Sequence, residues 1–271
     1  MAEQSSDRWT AAAAYETYMG RWSRAVAASF VPWLRPADGW RWLDVGCGTG
    51  ALTEVIADGC RPRTVAGVDT SPGFVAAARD AAPAAAGFAV ADASALPIAD
   101  GSCDAAVSGL ALNFFPDQRG AVAEAVRAVR PGGTVAAYVW DYTDGMQFLR
   151  LFWDAAVATD PAAGAVDERR RFPACHPDAL RTLWSAAGLA EVVVVPIEVP
   201  TSFRDFGALW GPFGLGQGPA PGYVATLDPA ARERLRRALR RIVPARPDGS
   251  IALTARAWAV RGQRPDRPRT V

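Results

Sequence analysis

The chain contains no lysine: all 29 of its basic residues are arginine. That absence excludes a Schiff-base lysine, a Walker-type phosphate lysine and a Tyr-x-x-x-Lys pair. Histidine occurs once, at His176, and the four cysteines, Cys47, Cys60, Cys103 and Cys175, stand far apart. With no C-x-x-C pair and no second cysteine or histidine at ligand spacing, no metal site is expected. A disulfide framework is not expected in a chain of 271 residues, which fits a reducing, cytoplasmic setting. Met1 to Thr10 lacks an apolar core and no 18-residue apolar run follows, so neither a signal peptide nor a membrane span is expected. Charge of one sign is lacking too. The net value of +1 gives no global attraction for nucleic acid or an anionic membrane.

What the chain does have is alternation. Residues 8 to 34 carry Trp9, Tyr15, Tyr18, Trp22, Phe30 and Trp33 at roughly helical spacing, and Pro36 and Gly39 end the segment. Short apolar runs then alternate with helical stretches. Strands are predicted at Trp40 to Val45, Thr64 to Val68, Gly87 to Ala91, Cys103 to Leu110 and Thr134 to Trp140, with Pro131-Gly132-Gly133 as a turn before the last. Helices are predicted at Ala51 to Asp58, from Ser71-Pro72 to about Ala82, and from Pro116-Asp117 to Val129. Unalternating apolar strands separated by helices imply a parallel sheet covered on both faces. Later come helices at Met146 to Thr159 and Pro177 to Ala187, and Val-rich strands at Glu191 to Val199 and Ile251 to Val260. Between those strands the spacing predicts a Gly/Pro/aromatic loop, Trp210 to Pro221, and a helix from Pro229 to Val243 whose arginine face reads as solvated surface. The domain reading is a helical cap over 1–36, a core over 37–200 and 249–262, a lid or substrate insertion over 201–248, and a disordered tail over 263–271.

The chemistry concentrates at Leu43-Asp44-Val45-Gly46-Cys47-Gly48-Thr49-Gly50. A strand ends at a turn with glycine at every second position, and a helix follows. Such glycines let backbone approach a ligand closely. Asp69 ends the next strand, nineteen positions after Gly50, near the offset at which a carboxylate reaches ribose hydroxyls. A dinucleotide would need a pyrophosphate beside the helix start, with glycines spaced G-x-G-x-x-G. Here the pattern is D-x-G-x-G-x-G, and Asp44 would repel a phosphate. The ligand this turn suits has a ribose and a positive end.

These residues resemble motif I of the class I S-adenosylmethionine-dependent methyltransferases. Gly67-Val68-Asp69-Thr70-Ser71 resembles the second-strand motif whose acid holds the ribose. Ala91 to Pro97 resembles the adenine-side motif, Asp104 to Ser108 with Leu112-Asn113-Phe114 resembles the fourth strand and its loop, and Val129 to Thr134 resembles the turn before the fifth strand. Within the superfamily the resemblance is to the type 11 group, which includes the ubiquinone and menaquinone C-methyltransferases. It covers about residues 40 to 140.

The resemblance implies a Rossmann-like, doubly wound α/β sheet of seven strands, mostly parallel with the last antiparallel. It implies S-adenosylmethionine as cofactor, held by Asp44, Gly46, Cys47, Gly48, Gly50, Asp69, Thr70, Asp92, Ala93 and Gly109, with Tyr18 and Arg21 from the cap. Asn113 stands where many relatives carry histidine. Cys47 reads as a packing residue, not a nucleophile. Acceptor-side candidates lie at strand ends and in the aromatic insertion: Tyr15, Trp22, Asn113, Phe114, Trp140, Trp210 and Phe213. They imply a small, apolar or aromatic acceptor. His176 and Asp141 are the candidate general bases. His176 precedes a helix start, where capping is the competing role. The expected assembly is a monomer or homodimer acting on a small molecule, not nucleic acid. A protein that binds the cofactor without turnover is the first alternative, and an NAD(P)-dependent oxidoreductase the second.

Overall fold

A computed structural model describes residues 19–82, 84–172, 175–216 and 218–266 of the chain. In order along the chain come α1 (Arg21–Trp33), β1 (Arg41–Val45), α2 (Ala51–Cys60), β2 (Thr64–Asp69), α3 (Pro72–Ala81), β3 (Ala86–Val90), β4 (Cys103–Gly109), α4 (Gln118–Ala128) and β5 (Val129–Trp140). Then follow α5 (Gln147–Thr159), α6 (Glu168–Arg171), α7 (Pro177–Ala186), β6 (Ala190–Phe203), α8 (Phe206–Trp210), α9 (Pro219–Thr226), α10 (Pro229–Ile242) and β7 (Ile251–Gln263). The strands form one seven-stranded sheet in the order β3-β2-β1-β4-β5-β7-β6. β1, β2, β3, β4 and β5 pair in parallel, and β7 runs antiparallel to β5. The expected doubly wound, Rossmann-like sheet is therefore present. The strand order reverses between β1 and β4, so the carboxyl ends of these two strands lie at the switch point where such folds bind ligands.

Local chemistry starts these helices where expected. The Ser71 hydroxyl accepts from the Phe74 N–H at 3.3 Å, with Pro72 at the first helical position. The Asp117 carboxylate accepts from Gly120 N–H at 2.9 Å. Two local expectations fail. Pro131-Gly132-Gly133 is not a separate turn but a bulged part of β5, with Gly132 at φ +72° and a register break between Cys103 and Ala105. The stretch Trp210 to Pro221 is not loop: Asp205 caps α8, a 3-10 turn spans Gly211–Leu215, and Pro219 opens α9. Proline at first helical positions started helices that composition alone read as irregular.

The described residues fall into two compact units. The sheet unit holds residues 23–82, 84–140, 175–197 and 257–266. Its core is the apolar sheet itself, with Leu43, Val65, Ala105, Ala106, Val135 and Val260 all buried. Gln263 lies in β7. The Arg264 guanidinium donates to the carbonyls of Val126, Arg127 and Val129, at 2.6 Å for the last. Residues 267–271 lie outside the described residues.

The aromatic unit holds residues 19–22, 141–172, 198–216 and 218–256. It is larger than the insertion expected at 201–248, because α5 and α6 belong to it. Its core is aromatic: Phe152 stacks on Phe213 with ring centroids 4.3 Å apart and planes 19° apart, and Trp22 meets Phe148 at 4.9 Å and Phe203 at 5.5 Å. Leu235, Ala238 and Leu239 bury one face of α10 against α5. Beside this core, Arg150 forks onto Asp167 at 2.9 and 2.5 Å, and the Trp153 indole N–H donates to the buried Glu168 carboxylate.

Candidate functional site

The glycine turn is built by the strand ends around it. Parallel register sets Asp44 opposite Gly67 of β2 and opposite Val107 of β4. Past β1, the Gly46 and Cys47 N–H groups donate to the Val68 carbonyl at 2.8 and 2.9 Å, which ties the turn to β2. Gly46, at φ +75°, presses against the loop after β4: a Cβ there would sit 2.5 Å from the Ala111 Cβ. Gly48, at φ +55°, differs. A Cβ there would meet nothing within 4 Å, so its surface is open. Gly50 starts α2 at φ +92° with no side-chain cap, which leaves first-turn N–H groups for a ligand or water.

Three carboxylates stand on this frame. Asp44 is completely buried. Its Oδ2 accepts from the Thr53 hydroxyl of α2 at 2.7 Å, while its Oδ1 is buried with no hydrogen-bond partner. Burial pushes its pKa up to about 7, against the pull of Thr53 and with a smaller push from the Asp69 charge. An orphaned buried carboxylate oxygen carries a large desolvation cost unless a donor or cation meets it. Asp69, half-buried at the end of β2, accepts from the Gly48 N–H at 3.0 Å through Oδ2 and from the Ser71 N–H at 2.8 Å through Oδ1. Burial raises its pKa and these N–H groups oppose the rise. Each oxygen keeps a lone pair, so the carboxylate is aimed and still able to accept. Asp92 is exposed. Its Oδ1 accepts from the N–H and hydroxyl of Ser94 at 2.8 and 2.7 Å, which lowers its pKa and leaves Oδ2 unused by these bonds.

The turn therefore fits the cofactor that its sequence implies. An unpartnered anionic oxygen suits an ammonium group, the open face at Gly48 suits close approach, and Asp69 suits a diol. Cys47 is buried, and burial pushes its thiol far up, so it is not a nucleophile. Thr70 is exposed, Ala93 buried, and Gly109 lies at the end of β4, where a Cβ would stand 2.6 Å from the Tyr138 hydroxyl oxygen. Tyr15, Tyr18 and the Arg21 side chain lie outside the described residues.

Beyond β4, Leu110 adopts φ +58°, a left-handed conformation unusual for leucine, and turns the chain into the 3-10 turn Leu112–Phe114. Both amide atoms of Asn113 are buried there without a partner. Phe114 is half-buried beside it.

Other predicted residues do different work. Asp141 is held in an ion pair: its Oδ2 takes Arg256 at 2.8 and 2.6 Å and its Oδ1 takes the Thr143 and Asp144 N–H groups. His176 is a helix cap, its Nδ1 accepting from the Asp178 N–H at 3.4 Å. Trp22 and Phe213 are core rings of the aromatic unit, Trp140 is buried at the end of β5, and Trp210 is half-buried with its ring 6.1 Å from that of Phe213. Packing accounts for the burial of Trp22 and Phe213 without a substrate.

Sequence reasoning passed over two partners. One is Thr53, whose offset of nine from Asp44 is one strand-turn-helix step and could have been read as a cap for that carboxylate. The other is the pair Glu124 and Arg127. Glu124 accepts from the Leu96 N–H at 2.9 Å, and Arg127 donates to the Leu96 and Ile98 carbonyls at 3.1 and 2.7 Å and to Asp100 at 2.6 Å. Together they clasp the loop that begins at Asp92.

Residues 43–137 match the family described as the methyltransferase domain. The chain is similar to malonyl-[acyl-carrier protein] O-methyltransferase of Hahella chejuensis, with 34% identity over 170 residues, 58% of this chain and 61% of that protein. It is also similar to 2-methyl-6-phytyl-1,4-hydroquinone methyltransferase of Synechocystis, with 37% identity over 117 residues, 42% of this chain and 36% of that protein. In each case the chain spans less than two thirds of the relative's length. Its fold resembles phosphoethanolamine N-methyltransferase 2 of Haemonchus contortus, solved in complex with S-adenosyl-L-methionine, at a TM-score of 0.58 and 18% identity over 96% of this chain and 59% of that one. Over residues 43–137 the chain matches the methyltransferase-domain family, and across that stretch it is similar to S-adenosylmethionine-dependent methyltransferases.

Proposed function

We propose that the protein moves a methyl group from S-adenosylmethionine to a small acceptor whose bound part is apolar or aromatic. The observation that carries this reading is the buried, unpartnered Oδ1 of Asp44 beside the open turn at Gly48. Bound there, the cofactor supplies an electrophilic methyl group. The chain's own residues hold and align. Asp44 meets the ammonium end, Asp69 accepts from the ribose hydroxyls, and Asp92 accepts from the adenine amine through its remaining oxygen. The Asn113 amide binds a polar group of the acceptor, and Phe114 packs on its apolar part. Alignment and exclusion of water supply most of the rate, since the nucleophile needs little further activation.

With Asp141 held in an ion pair and His176 in a cap, neither candidate base is free. That favours an acceptor that presents an anionic oxygen or loses its proton readily, such as a carboxylic acid or a phenol. The two curated relatives are named for a carrier-bound malonyl group and for a substituted hydroquinone, which agrees with that range. The working setting is the cytoplasm, as a monomer or homodimer, with no nucleic-acid substrate. Among the described residues no helix is long and apolar enough to cross a membrane.

Calorimetry with S-adenosylhomocysteine and NADH tests the cofactor: binding of the first and not the second is expected, and the reverse removes the reading. A methyl-release panel of carboxylic acids, phenols, quinols and amines tests the acceptor, and turnover of amines alone would remove the acidic-acceptor reading. The committed state of Asp141 and His176 also favours a second reading, cofactor binding without turnover. S-adenosylhomocysteine binding with no methyl release across the panel is its signature.

A further inference from the structure

The arginine face of α10 is unexplained by the cofactor site. This 14-residue helix holds Arg232, Arg234, Arg236, Arg237, Arg240 and Arg241 against one acid, Glu233. Its net charge is therefore +5, while the whole chain carries +1, so everything outside the helix sums to −4. Internal partners offset little of this charge. Glu233 lies 3.7 Å from Arg236 and 3.6 Å from Arg237, and Arg232 reaches only the Val224 carbonyl, at 3.3 Å. Arg234 and Arg241 make no ion pair among the described residues, and both are exposed. Arginines four apart, at 232/236, 236/240 and 237/241, repel one another along the helix, so the face does not serve helix stability.

The face is also fixed in orientation. Leu235, Ala238 and Leu239 are buried beneath it, so the helix cannot roll. The Phe206 ring lies 5.6 Å from the Arg236 guanidinium carbon and 5.5 Å from that of Arg240, which orders two of the forks. Arg234, Arg237 and Arg241 stand at i, i+3 and i+7, one line about 10 Å long on the helix. Ile242, 44% exposed, gives an apolar contact at its end. We propose that this line is a docking surface for an acidic protein helix that presents carboxylates at the same spacing. Guanidinium forks match carboxylates in pairs. Three guanidiniums over about 10 Å suffice for one short helix face, whereas a long polyanion or a charged bilayer calls for a wider basic surface, and the charges outside this helix sum to −4.

The test is fluorescence anisotropy on the full chain with a labelled helical peptide bearing Glu at i, i+3 and i+7, run beside labelled duplex DNA and phosphatidylserine-containing vesicles. The peptide is expected to bind, more weakly as salt rises. The variant R234E/R237E/R241E should lose binding by at least about tenfold while its affinity for S-adenosylhomocysteine holds. A peptide of the same composition with Glu at alternate positions should bind several-fold less well. If the triple reversal does not fold, R234Q/R237Q/R241Q should still show a several-fold loss. No peptide binding, tighter binding of DNA or vesicles, or an unchanged affinity in the folded variant would each overturn the proposal. A loss of S-adenosylhomocysteine binding in the folded variant would tie these arginines to the cofactor site and would also overturn the proposal, whereas a parent chain that binds the peptide but not S-adenosylhomocysteine would count against the cofactor reading alone.

Discussion

Asp44 in the sheet unit and Glu168 in the aromatic unit are equally buried, and burial pushes each up to about 7. Their surroundings differ. Glu168 accepts from the Trp153 indole and sits beside the Arg150–Asp167 fork. Asp44 has Thr53 on one oxygen and nothing on the other. The same burial thus serves two ends. In the aromatic unit the polar groups pair among themselves beneath stacked rings, which is how a core closes. In the sheet unit a polar atom is held open at a strand end, at a cost in stability of the free protein, which is how a binding site is kept ready.

The largest effect should come from breaking the closed unit. Phe213, 1% exposed and stacked on Phe152, fills the centre of the aromatic core. Phe213→Ala should lower stability by about 3–5 kcal/mol, the usual range for removing a buried aromatic. Denaturant titration measures it. An unfolding midpoint that stays put would mean that the ring is not core and would return it to the substrate-binding candidates.

Next comes the open carboxylate. Asp44→Asn keeps an acceptor for the Thr53 hydroxyl and removes the charge. Affinity for S-adenosylhomocysteine should fall by about 2–3 kcal/mol, the range of a charged hydrogen bond, while the free protein is at least as stable as before. Loss of binding with gain of stability is the mark of a site residue. Loss of both, by calorimetry and thermal melting, would make Asp44 structural like Glu168.

The same carboxylate predicts a pH dependence. The folded chain holds a proton on Asp44 up to about 7, whereas the unfolded chain releases it near 3.8. Stability from this group is therefore present below about 4 and fades as pH rises to about 7. Cofactor binding runs the other way, because an ammonium group needs the ionised form. Affinity should rise with pH, by at most about tenfold per unit, and level off above about 7. Asp44→Asn should flatten that profile and Glu168→Gln should leave it intact. A slope that follows Glu168 would assign the titration to the wrong unit.

How much of this was legible beforehand divides along the same line. The parallel sheet was readable because each strand is a short apolar run closed by Gly, Pro or Asp, and Ser71, Asp117 and Asp228 cap helices within their own segments. The glycine turn was readable because its residues are contiguous. The aromatic unit was not. Trp22, Phe148 and Phe213 are far apart in the chain, and stacking distances between them are set by tertiary contacts that no local pattern encodes. The ion pair of Asp141 was hidden for the same reason: its partner Arg256 is 115 positions away. Trp210 to Pro221 misled because glycine and proline mark turns and helix starts alike.

The smallest expected effect sharpens the comparison within the sheet unit itself. The loop from Asp92 to Asp100 carries two predicted cofactor contacts, Asp92 and Ala93, yet it has little regular structure of its own. Its shape is set from α4, where the Arg127 guanidinium binds the Leu96 and Ile98 carbonyls and Asp100, and Glu124 both holds that guanidinium and accepts from Leu96 N–H. Arg127→Ala frees the loop without touching Asp44 or Asp69. Affinity for S-adenosylhomocysteine should fall a few-fold, since only the adenine end loses its preorganised partner. Binding of methionine alone should not change, because its ammonium site lies at the glycine turn. Arg127→Lys, which restores one charge but not the fork, should recover part of the loss. Equal losses for S-adenosylhomocysteine and for methionine would show instead that the clasp supports the whole sheet edge and not the adenine side of the site.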